Sequence, residues 1–177
     1  MDLWVGSEFS DEYQDWLEGH LGARRAPWFD VPVGQLERRP LLSTEPTASV
    51  KASIDLMNTH RHGAVLVVHG EQLVGIFTER DVLRRVVPRG LSLEDTPVSE
   101  VMTSSPDVLS EDATLAQALR TMSRSRYRHL PVVDEHGRPV AVVSMRRIIQ
   151  YVCDAFPNEI MNAPPERPSG VFSIEGG

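Results

Sequence analysis

Val65-Leu66-Val67-Val68, continued by Val74-Gly75-Ile76-Phe77-Thr78, decides the fold, because the pair returns as Leu130-Pro131-Val132-Val133 and Val140-Ala141-Val142-Val143-Ser144. The interval is about 65 residues, with one residue of slippage in the turn between the two runs. Upstream, the stripe Val50, Ile54, Met57 is matched by Leu115, Leu119 and Met122; downstream, Asp81-Val82-Leu83 is answered by Arg147-Ile148-Ile149. A period of this length exceeds one solenoid unit and suits a small βαββα module used twice. The expected fold class is α/β (α+β), built from two such modules.

Each copy predicts its own elements. In the first, Leu41-Leu42-Ser43 reads as a short strand and Thr47 to His60 as a helix. Ala64–Val68 and Leu73–Phe77 read as strands joined by the turn His69-Gly70-Glu71-Gln72. Their near-continuous apolar character implies burial on both faces. A helix from Thr78 to Val87 follows, ended by Pro88 and Gly90. In the second copy, Pro97–Met102 reads as a lead-in helix, Asp107–Leu109 as a strand and Thr114–Arg124 as an amphipathic helix. His129–Val133 and Val140–Val143 are the paired strands, and Met145–Ala155 is the closing helix. The chain divides into an acidic, aromatic segment (1–30), a first repeat (31–90), a second (97–155) and a flexible Pro/Gly-rich tail (156–177). Ser10 is placed to cap a short helix presenting Tyr13, Trp16 and Leu17, with Gly19 past its end. That helix would pack on its own domain or dimer mate, or dock on a foreign partner.

Composition narrows the function. A formal net charge of -7 speaks against binding nucleic acid or an anionic membrane. The charge is unevenly spread: residues 120–150 carry Arg120, Arg124, Arg126, Arg128, Arg138, Arg146 and Arg147 against Asp134 and Glu135. Lys51 is the only lysine, and arginine is the better bidentate partner for phosphate. Cys153, the only cysteine, excludes an intrachain disulfide and a cysteine zinc site; on its apolar helix face it reads as a buried thiol. No run reaches membrane-spanning length, and the N-terminus lacks a basic signal-peptide region. A cytoplasmic protein is the expectation.

The lines Gly63-Ala64-Val65-Leu66-Val67-Val68, Leu73–Val82 and Tyr127-Arg128-His129-Leu130-Pro131-Val132-Val133-Asp134 resemble a tandem pair of CBS domains, the regulatory modules named after cystathionine β-synthase. The resemblance covers roughly residues 31–155. It implies two βαββα units about a pseudo-two-fold axis, clefts that in many relatives hold adenosine-containing ligands, and association into a flat homodimer. Apolar helical faces including Val82, Val86, Ile148 and Val152 are expected to carry that pairing.

The residues give that implication a chemistry. Thr78-Glu79-Arg80-Asp81 lies at a strand-to-helix junction, where free amides favour a phosphate. In the family, the Asp at this position binds ribose hydroxyls and the Ser/Thr contacts sugar or phosphate; Asp81 and Thr78 match. An ionised carboxylate can accept from both hydroxyls of a ribose. The same [ST]-x-x-[DE] pattern also caps helices, and the two roles are compatible. In relatives, basic residues just before the second central strand meet phosphates, which selects Arg128 and His129, with Arg126 behind them; a solvated basic rim is the other reading. His62 and Gly63 occupy the equivalent edge of the first copy, where a small residue lets a base approach the backbone. Gly63 stands where the second copy has Arg128. At the carboxylate position the second copy has Arg147, which has no acceptor. One nucleoside site per chain is therefore expected.

His60-Arg61-His62 is too sparse for a metal site, and no Gly-x-Ser-x-Gly elbow organises a nucleophile. No metal, required cofactor or enzymatic activity is expected. The reading is a regulatory module that binds an adenine nucleotide (AMP, ADP or ATP) or an adenosyl sulfur compound. It would act as a homodimer and signal to an effector protein not named by the sequence. The alternative is a dimeric scaffold whose cleft is vestigial.

Overall fold

The computed structural model describes residues 27–36 and 41–155. The expected N-terminal helix around Tyr13 and the expected tail lie outside them. The first copy comprises β1 (Ser43–Thr44), α1 (Val50–His60), β2 (Ala64–His69) and β3 (Gln72–Thr78). The second comprises β5 (Leu109–Ser110), α2 (Leu115–Ser125), β6 (His129–Val133), β7 (Pro139–Ser144) and α3 (Met145–Ala155), with β4 (Thr103–Ser104) between the copies. The strand orders are β1-β2-β3-β4 and β5-β6-β7. In both sheets the first strand runs parallel to the second and the hairpin is antiparallel.

Local chemistry explains the elements. Ser49, not Thr47, starts α1: its side chain accepts from the Ala52 amide at 3.1 Å. Thr114 and Gln117 form a capping box at α2. Both helices end on an arginine in the left-handed region, Arg61 (φ 53°) and Arg126 (φ 55°). The first hairpin turns at Gly70 (φ 61°). In the second, Asp134 Oδ1 accepts from the amides of His136 and Arg138, both at 2.9 Å.

Alternate strand residues serve two cores, as the apolar runs implied. Val65, Val67 and Phe77 pack under α1 with Val50 and Met57, whereas Ala64, Leu66 and Ile76 face a separate cluster that includes Val142 of the other copy. The lead-in segments exchange. Val33 and Leu36 are buried in the second copy's core, and Val98 and Val101 in the first's. The hydrogen bonds repeat the exchange with the sequence period. The Val33 amide donates to Ala113 O at 2.7 Å and the Val98 amide to Ala48 O at 2.8 Å. A Cβ on Gly34 would lie 2.9 Å from Glu111 O, so this crossing requires glycine.

Three further expectations need correction. The lead-in helix shortens to a 3-10 turn, Val98–Glu100. The helix after β3 is an α turn (Glu79–Asp81), a π segment (Val82–Val86) and a 3-10 turn (Val87–Arg89). Pro88 is the physical reason, since an α-helix would drive its ring into the Arg84 carbonyl; the chain widens, and the Val87 amide donates to Val82 O. Cys153 is exposed, because α3 turns Ile148, not Cys153, into the core. No helix of the described residues is long and apolar enough to cross a membrane.

Candidate functional site

The end of β3 carries the first functional group into place. Thr78 leaves the strand in extended conformation (φ -132°) and the chain turns directly into Glu79–Asp81, forming a capping box. Asp81 Oδ2 accepts from the Thr78 amide at 2.9 Å and from its hydroxyl at 2.7 Å. Arg85 Nε lies 3.5 Å from the other oxygen, Oδ1. Asp81 is 7% exposed, so this carboxylate is buried with its charge matched. Capping is therefore present. The remaining acceptor capacity is on Oδ1, where a sugar hydroxyl could still bond.

A cleft of about 310 Å³ opens beside it, at the lower end of the range for small-molecule sites. Thr78, Asp81 and Gly63 line it from the first copy, and Arg126, Arg128 and His129 from the second. Six of the seven expected residues thus converge. His62 is not among the lining residues; its amide is tied to Met57 O at 2.9 Å, and its charge opposes the charging of His129. Gly63 is closely covered: a Cβ there would lie 3.1 Å from His129 Cε1 and 3.3 Å from Glu79 Oε2. The edge expected to lie against a base is thus packed on these two side chains.

The cleft also holds residues that the sequence reading passed over, including Arg80, Arg84, Arg85, Thr103, Asp107 and Tyr127. Arg85 had a readable signal, lying one helical turn from Asp81. Thr103 and Asp107 had none, because pairing of β4 with β3 brings them there. Two contacts border the opening, the first joining the copies and the second lying within the second copy. Arg80 Nη1 donates to Arg126 O at 2.8 Å, and Ser125 Oγ donates to Asp107 Oδ2 at 2.9 Å.

Electrostatics separates the basic groups. Burial first, then the neighbouring Arg128 and His62, lower the His129 pKa from 6.5 to about 4. His129 is therefore neutral near pH 7 and offers a hydrogen bond, not a charge. Among the described residues, no hydrogen bond or ion pair engages the side chains of Arg84, Arg126 or Arg128. These three guanidinium groups are available to an anion. At the equivalent junction of the second copy, Ser144 Oγ accepts from the Arg147 amide at 3.3 Å, and Arg147 stands where the first copy has Asp81.

Comparison with known proteins follows the same outline. Residues 33–88 and 98–154 each match the CBS domain family. An uncharacterised protein of Methanopyrus kandleri is 30% identical over 121 residues, 68% of this chain and 62% of that protein. The chain thus spans less than two thirds of that relative. A solved structure of a protein with CBS domains from Burkholderia ambifaria superposes with a TM-score of 0.65 at 29% identity, covering 73% of this chain and 96% of that one. A CBS domain protein from Pyrobaculum aerophilum, solved in complex with AMP, gives 0.62 at 26% identity, covering 70% and 99%.

Proposed function

The chain belongs to the CBS domain family, and from that premise we propose that it is a regulatory module that binds an adenine nucleotide in the cleft between its two repeats. One observation carries the reading: a sugar-competent carboxylate and hydroxyl from one repeat share a cleft with unengaged arginines from the other. The AMP complex of the Pyrobaculum relative supports it by likeness. Arg84, Arg126 and Arg128 favour a phosphate-bearing ligand over an adenosyl sulfonium, whose positive charge they would repel. Arg147, which offers no acceptor at the position equivalent to Asp81, supports one such site per chain. Occupancy would change how the repeats sit against each other, and a homodimer would present that change to an effector protein. The scaffold alternative draws on the engagement of Asp81 with Thr78 and Arg85 in the free protein.

Thermal melting with AMP, ADP, ATP, methylthioadenosine and S-adenosylmethionine separates the two. Ligand at roughly 100 times its dissociation constant stabilises the native state by about 2.7 kcal/mol. The phosphorylated ligands should raise the melting temperature, and Asp81→Asn should remove most of the rise. Asparagine is preferable to alanine, because losing the cap alone would cost about 1 kcal/mol. No shift with any of the five compounds would favour the scaffold.

A further inference from the structure

We propose that Arg85 is a positioning residue that holds Asp81 and couples it to the connector leading into the second repeat. Arg85 sits in the π segment, one turn beyond Asp81, and its side chain is 42% exposed. Its Nε faces Asp81 Oδ1 at 3.5 Å. Its Nη1 donates to Val101 O at 3.1 Å and also to Met102 O. One guanidinium therefore spans the buried carboxylate and two backbone carbonyls about 20 residues further along the chain.

Those carbonyls sit at a critical place. Val101 is fully buried in the first repeat's core. The Met102 side chain rests where a Cβ on Gly75 would be only 2.3 Å from its sulfur, so any larger residue in β3 would have to displace it. The next two residues form β4 on β3, and Asp107 then receives the Ser125 hydroxyl at the end of α2. With Arg80 bonded to Arg126 O, the contacts close a ring around the cleft that passes through both repeats. Arg85 is the link that joins Asp81 to it. Oδ2 already accepts two bonds from Thr78, so a ligand hydroxyl bonding to Asp81 must use Oδ1, the oxygen Arg85 faces. Binding there competes with the ion pair and changes the hold on the connector. This ligand-linked half rests on the proposed function; the coupling itself does not.

Hydrogen exchange at the amides of 101–105 tests both halves. In the ligand-free protein, Asp81→Asn should speed that exchange by about fivefold, the size of effect a half-exposed ion pair supplies. In an Arg85→Ala background the same change should have no further effect. Additive effects would overturn the coupling. Arg85→Gln replaces Arg85→Ala if the latter does not fold; it keeps an amide donor for the carbonyls but not the ion pair. With AMP at a concentration that saturates each protein, the parent should show altered exchange at 101–105 and Arg85→Ala should not. Equal exchange responses in parent and variant would sink the ligand-linked half. No AMP response in the parent would instead defeat the functional reading, while the mutant cycle still decides the role of Arg85.

Discussion

His129 shows how position alters a residue's chemistry. As sequence it counts among the basic groups before the second central strand; in the fold partial burial and the nearby Arg128 and His62 lower its pKa to about 4. The folded-state value is depressed below 6.5, so the unfolded chain takes up the proton first. The contribution of His129 to stability is therefore complete above about pH 6.5 and is lost as pH falls toward about 4. Replacing it with Gln should flatten the acid limb of a stability-versus-pH curve over that window while leaving the neutral plateau nearly level. An unchanged slope would mean that the imidazole charges freely in the folded state. At this scale the site was partly legible. Thr78, Asp81 and Arg128 announce themselves by type and junction, and Arg85 by lying one helical turn from Asp81, whereas Arg84 carries no such mark and lines the cleft from the π segment that Pro88 forces.

Among the elements, the exchanged lead-ins are the least anticipated feature. Pro32–Leu36 and Pro97–Val101 are equivalent in sequence, and each serves the other repeat rather than the one it leads into. Val98 is fully buried, so Val98→Ala should cost about 2 kcal/mol. The exchange predicts where the loss falls. Amide exchange in β2 should accelerate more than in β6, and Val33→Ala should do the opposite. Each substitution acting instead on the repeat that follows it would refute the packing exchange. Periodicity marks an apolar turn but carries no record of which of two similar cores it fills.

For the molecule as a whole, the sequence reading chose Val82, Val86, Ile148 and Val152 as an apolar pairing surface. Val86 and Ile148 are buried in their own cores, with Val82 and Val152 packed beside them, so that choice is corrected. The neighbouring residues face outward: Leu83 at 69% exposure, Val87 at 63% and Ile149 at 56%. If the protein pairs as its family resemblance implies, these are the residues that cover one another. Sedimentation at micromolar concentration should then give close to twice the 19.8 kDa chain mass. Leu83→Asp with Ile149→Asp should return it to a monomer without unfolding, since neither side chain supports a core. A monomeric parent would end the homodimer proposal.

The sequence by itself determined the repeat, the order of its strands and helices, and the hydroxyl–carboxylate junction at Thr78 and Asp81. Apolar period, capping chemistry and residue type are local and survive in one dimension. Only the tertiary structure decided which core each lead-in fills and which face of the closing segments remains bare. It also decided how Asp81 and Arg85 meet the connector. Those outcomes depend on contacts between residues far apart in the chain, set by the pairing of β4 with β3 and by a helix widened at Pro88.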